Sequence, residues 1–400
     1  MLASLALIFL VGLAAAFLCR KIRLPRIIGM LVTGIVLGPY MLDFLDPKIL
    51  GISAELRQMA LIIILIKAGL SLSVTDLKKV GRPAVLMSFL PALFEIGAFV
   101  LLAPKLLHVT VTEAAIMGAV LGAVSPAVVV PRMVSLMEEG YGTDKQLPQL
   151  ILAGASLDDV FVIVLFASFV GIEQGGSVRA ADFVNIPVSV LLGILLGAAF
   201  GFVLAALFEL AHRKNDSIRQ SVKVILLLGT AFLLMAVETW LDGIVAVSGL
   251  LAVMSMACVV TARTRKDVSA DLSAKYGRLW LAAEVILFVL VGAAVDIRYT
   301  LEAGGMALVM ILLALVFRSL GVLVCLIKTN LNTRERAYCV IAYLPKATVQ
   351  AAIGSVPLSL GLPCGRMVLS VAVLSILVTA PLGAIGMDAT YRKLLTKKEQ

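Results

Sequence analysis

The sequence predicts an all-α polytopic membrane protein with about thirteen transmembrane helices, arranged as two inverted six-helix repeats. Three observations carry that expectation. Hydrophobic residues make up 61% of the chain and charged residues 15%, with a mean hydropathy of +1.07; soluble domains run at roughly 45–50% apolar and 25% charged. Apolar runs of membrane-spanning length succeed one another with short polar breaks, so a single membrane domain accounts for residues 1–400. Two of those runs carry prolines at their centres.

Charges, prolines and glycines bound the helices near 3–19, 27–45, 57–74, 83–107, 111–136, 147–173, 184–211, 220–241, 243–262, 278–296, 303–328, 335–360 and 365–389. The first run has no small-residue cleavage site before its basic cluster Arg20, Lys21, Arg23, so it reads as a retained helix rather than a signal peptide. Of the 34 Lys and Arg, 25 fall in loops on one side, including the C-terminal Arg392, Lys393, Lys397 and Lys398, and six on the other. Lys67, Arg318 and Lys346 lie inside helices. The positive-inside rule then puts the N-terminus outside and the C-terminus in the cytoplasm, with a bacterial inner membrane as the expected setting. Topology and anionic membrane lipids account for the +9 net charge, and no nucleic-acid partner is implied. The five cysteines are scattered and point to neither a disulfide framework nor a metal centre.

In the fifth helix, Ser125, Pro126 and Pro131 predict an extended crossover, because proline removes a backbone donor and clashes with the preceding turn. Unpaired backbone at that depth is tolerated only when buried in protein or lining a cavity. The twelfth helix repeats the device at Pro345, Lys346 and Thr348, and Pro126 and Pro345 are 219 residues apart. Six helices, a connector and six more make the two halves inverted in topology. The same offset carries Glu95 to position 314, within about one turn of Arg318; the two are read as a buried charge pair across the pseudo-twofold axis. It carries Asp158 to Leu377, so only the first half supplies acids.

Asp158 and Asp159 sit together in the apolar run 147–173. Even on lenient scales an ionisable group at mid-membrane costs roughly 2.5–3.5 kcal/mol. Two in succession therefore imply a site for a cation, a proton, or both in competition, and a site shared in that way belongs to an exchanger. No enzyme activity and no cofactor are expected, and the transported cation is substrate. Adjacent helix positions point about 100° apart, so one aspartate is the principal ligand and the other assists. Lys346 either neutralises half-helix dipoles or competes with the cation. Lys67 snorkels or pairs, and Glu113, Glu209, Glu238 and Asp296 fall near helix ends. An intramembrane aspartyl protease would need its two acids on facing helices, and a passive channel would draw acids from several repeats or subunits.

Three stretches carry a family resemblance: Leu121–Pro131, Gly154–Asp159 and Leu344–Gly354. They resemble the monovalent cation:proton antiporter superfamily, specifically its NHA branch of sodium/proton antiporters. The resemblance implies an NhaA-like antiporter fold, with sodium or lithium exchanged for protons; beside it, potassium/proton exchange and sodium-coupled solute uptake stay open as alternatives. It implies a homodimer in which a core of helices at about 83–173 and 303–389 moves against a scaffold of helices at about 1–74 and 184–296. It also implies the paired aspartates as ion site, with Asp159 the indispensable one, and a buried acid–arginine pair at Glu95 and Arg318. The Asp-Asp pair resembles the electrogenic type, whereas Arg318 stands where many electrogenic members carry lysine.

Overall fold

The computed structural model describes residues 1–22, 24–71, 81–175, 180–213, 219–241, 245 and 247–397. Arg23, residues 72–74 of the third expected helix, the first residues of the ninth, and Lys398 lie outside them. Among the described residues the regular structure is helical, with one isolated β-bridge between Tyr141 and Lys397.

α1 (Leu2–Lys21) ends on its basic pair, and α2 (Arg26–Leu37) follows Pro25. The second helix stops well short of the expected residue 45. Gly38 precedes Pro39 and is extended (φ −71°, ψ 172°), the conformation a pre-proline residue favours. α3 (Pro47–Gly51) is capped by Asp46, which accepts from Lys48 N at 2.9 Å, and α4 (Ser53–Ser71) follows. The fourth expected helix is two pieces, α5 (Arg82–Met87) and α6 (Leu90–Leu106). Pro91 cannot donate to Met87 O, which ends the first piece.

The two interrupted helices both start at capping boxes. Thr110 and Glu113 exchange side-chain and backbone bonds at α7 (Val111–Gly122), and Asn332 and Glu335 do so at α15 (Thr333–Ala342). After each break come α8 (Pro126–Glu139), and α16 (Thr348–Gly354) with α17 (Val356–Ser359). The remaining helices are α9 (Leu147–Gln174), α10 (Ala180–Arg213), α11 (Gln220–Leu241), α12 (Gly249–Arg263), α13 (Lys266–Ala293), α14 (Ile297–Cys325) and α18 (Gly365–Leu394). α13 begins twelve residues before the expected 278. Its first turns are polar and laced by pairs such as Asp271–Lys275, so they form a helix that hydropathy does not reveal. Among the described residues eight segments are long and apolar enough to cross a membrane, two of them being the broken pairs α5 with α6 and α7 with α8 taken together.

By internal contacts the chain forms two compact units: residues 1–57, 73–174 and 285–400, and residues 58–72 and 175–284. In the second unit α10 packs against α12. Gly193, Gly197 and Gly201 line one stripe of α10, and any Cβ there would run into the backbone around Ser248, Ala252 and Met256. Small residues four apart let membrane helices approach this closely. In the first unit α6 packs on α7 and α14, and α9 lies against α5, α7 and α8.

Candidate functional site

Both breaks leave backbone groups without helical partners in the interior, and the side chains around them answer those groups one by one. Between α7 and α8 the chain is unwound at Ala123–Ser125; between α15 and α16 it is unwound at Tyr343–Ala347. The two strands meet where Ser125 N donates to Pro345 O at 2.8 Å. Lys346 N donates to Thr379 Oγ1 of α18 at 2.9 Å. Gln350 accepts from Ala347 N at 2.7 Å and donates to Ala123 O at 2.8 Å.

The last carbonyls of the first half-helices carry partial negative charge, and two cations take them. The Arg318 guanidinium donates to Gly122 O, and through Nε to Tyr343 O at 2.7 Å. Lys346 Nζ donates to Leu121 O. Glu95, on α6, holds both cations through Oε2, at 2.8 Å from Arg318 Nη1 and 2.6 Å from Lys346 Nζ. Arg318 Nη2 reaches Asp158 Oδ2 at 3.0 Å, and the same oxygen accepts from Val124 N at 2.8 Å. Glu95, Asp158, Arg318 and Lys346 are all at most 1% exposed.

Asp159 is also buried, and its Oδ1 has no hydrogen-bond partner; the same holds for Asp158 Oδ1 and Ser125 Oγ. Three acids therefore face two bases, leaving one carboxylate uncompensated when all are ionised.

The structure brings together Asp158, Arg318, Glu95, Lys346, Ser125 and Pro345. It separates two residues from the crossover. Pro131 lies inside α8, where Arg132 Nη1 donates to Val128 O at 2.9 Å, and Thr348 is the first residue of α16. Pro126 likewise opens α8; a first-turn proline withholds an N–H that has no helical partner there. Lys346 bonds to Glu95 and a helix-end carbonyl. Lys67 sits over the Trp280 ring at 5.9 Å. Glu113 is a half-buried cap at the start of α7, and Glu209 accepts from Arg265 N at 3.3 Å.

Sequence reasoning missed Gln350, Thr379 and Tyr343. The available signal was their polarity at positions flanking a broken helix, where a buried polar group needs a partner. The Tyr343 ring lies 5.5 Å from the Arg318 guanidinium, and its hydroxyl fills the space above Gly154, one turn before Asp158. A methyl at Gly154 would collide with that hydroxyl and lie 2.9 Å from Met87 Cβ. Since Tyr343 is fully buried, Gly154→Ala is expected to destabilise by about 1–3 kcal/mol, read as a lower thermal midpoint in detergent.

Interrupted helices that meet around buried charges define a membrane transporter. The sequence matches the family described as "Sodium/hydrogen exchanger, transmembrane" over residues 5–392. Sodium/hydrogen exchanger 9B2 of Homo sapiens is 33% identical over 389 residues, covering 94% of this chain and 71% of that protein. The 9B2 protein of Xenopus tropicalis is 32% identical, covering 87% and 65%. The chain thus spans about two thirds of that relative's length. The sodium proton antiporter MjNhaP1 from Methanocaldococcus jannaschii, solved at pH 8, superposes with a TM-score of 0.84 at 21% identity over 98% of each chain, which shows a shared fold. The chain belongs to the sodium/hydrogen exchanger family, within the cation:proton antiporter superfamily, and is an integral membrane protein.

Proposed function

We propose that this protein exchanges sodium or lithium for protons by alternating access, with Asp158 and Asp159 as the shared site. The observation that carries the reading is the charge imbalance of the buried cluster: Glu95, Asp158 and Asp159 against Arg318 and Lys346. One monovalent cation or one proton restores neutrality, and a buried net charge is costly. The unpartnered Oδ1 atoms of both aspartates and Ser125 Oγ are oxygens of the kind a hard monovalent cation takes. The family match and the names of the relatives support sodium as the cation. The reading extends to a homodimer whose core, about 83–173 and 303–389, moves against the scaffold helices, and to an N-terminus outside with a cytoplasmic C-terminus. The relatives named above are vertebrate or archaeal proteins and give no support to a bacterial setting.

The test is proton flux in proteoliposomes as lithium, sodium and potassium are added in turn. Sodium or lithium should drive protons across. Where proton and cation compete for one site, the half-saturating cation concentration should rise about tenfold per unit fall in pH once the pH is below the pKa of the site, with the maximal rate maintained. A half-saturation that stays constant down to pH values at which exchange fails at low cation would replace the shared site by separate pathways. A response to potassium alone would change the substrate, and cation movement without opposing proton movement would make the protein a channel.

A further inference from the structure

We infer that Gln350 is a positioning residue for the ion site, acting on Asp158 through a single peptide group. Gln350 Nε2 donates to Ala123 O at 2.8 Å, and Val124 N donates to Asp158 Oδ2 at 2.8 Å. That oxygen and that N–H are the two ends of the same peptide unit, which is planar, with its C=O and N–H pointing opposite ways. Fixing the carbonyl therefore fixes the direction of the N–H. The segment is unwound here, with Ala123 at φ −82° and ψ 146°, so no helical ladder sets the orientation of that plane. Gln350 is itself anchored, because its Oε1 accepts from Ala347 N at 2.7 Å in the second unwound strand, and it is fully buried. One side chain thus ties the second crossover to the peptide of the first that holds the Asp158 carboxylate of α9.

Asp158 Oδ2 is held from two directions, by Val124 N and Arg318 Nη2, which leaves Oδ1 as the oxygen without a partner. Losing the orientation of the peptide frees the carboxylate to turn, and a ligand oxygen that must be re-ordered on binding costs affinity.

The role rests on the proposed exchange at the aspartates, and the experiment separates the two. Gln350→Met keeps length and volume, and Gln350→Leu roughly the volume, while losing both hydrogen bonds and adding no charge to the cluster. In proteoliposomes each variant should raise half-saturating sodium or lithium about tenfold, equivalent to about 1.4 kcal/mol, with the maximal rate close to that of the native chain. Stabilisation of the purified protein against heat by the same cations should weaken in parallel. Gln350→Leu carries the test where Gln350→Met does not fold. Native half-saturation in the variants, including a variant that melts earlier yet binds normally, overturns the positioning role. A native chain that moves no protons on cation addition overturns the exchange reading instead.

Discussion

Asp159→Asn is expected to reduce cation-driven proton flux to the level of protein-free liposomes while the protein still folds. The substitution conserves shape and removes the charge that the cluster leaves uncompensated. Because Asp159 Oδ1 has no partner, neutralising it removes a cost of burial rather than a bond, so the thermal midpoint should stay level or rise. Asp158→Asn should also abolish or strongly weaken exchange, but with the opposite effect on stability. Its carboxylate accepts from Arg318 and from Val124 N, and the amide that replaces it loses the charge-assisted part of that bonding, about 1–3 kcal/mol. The contrast in stability distinguishes an acid kept for binding from one that also braces the site. Full exchange by the Asp159→Asn protein would sink the mechanism.

The parts of this site legible in the sequence were those with a one-dimensional signature. Pro126 and Pro345 announce the breaks because the penalty for proline in a helix is local. Glu95 and Arg318 could be matched through the repeat offset, and the structure places their charges 2.8 Å apart. Pro131 misled for the same local reason: α8 accommodates it, and the unwound stretch ends at Ser125. The 219-residue offset carries Lys346 to Ala127, so no charge in the sequence betrays its bond to Glu95, and only packing brings α6 and the second break together. Gln350 and Thr379 carry no charge, so nothing in hydropathy marks them. The polar start of α13 was hidden for a different reason, since hydropathy finds the part of a helix that lies in lipid and not where the helix begins.

Glu95 should be the most sensitive position for stability, because among the described residues it is the acid that ion-pairs with two buried bases. Glu95→Gln leaves Lys346 without an acidic partner and Arg318 with only Asp158, and breaking a buried pair from one side costs about 3–5 kcal/mol. The choice of second substitution reveals the wiring. Adding Lys346→Met removes the orphaned base and leaves Arg318 paired with Asp158 at 3.0 Å, so the double variant should recover much of the lost thermal stability. Adding Arg318→Met instead strips Asp158 of its ion pair with Arg318, leaves Lys346 without Glu95, and frees Gly122 O and Tyr343 O; that double variant should be no more stable than Glu95→Gln. Thermal unfolding of the three proteins in detergent decides the matter. Equal recovery by both second substitutions, or simple additivity of the losses, would show that Glu95 does not join Arg318 and Lys346 as the structure has it, since coupled neighbours depart from additivity and independent ones do not.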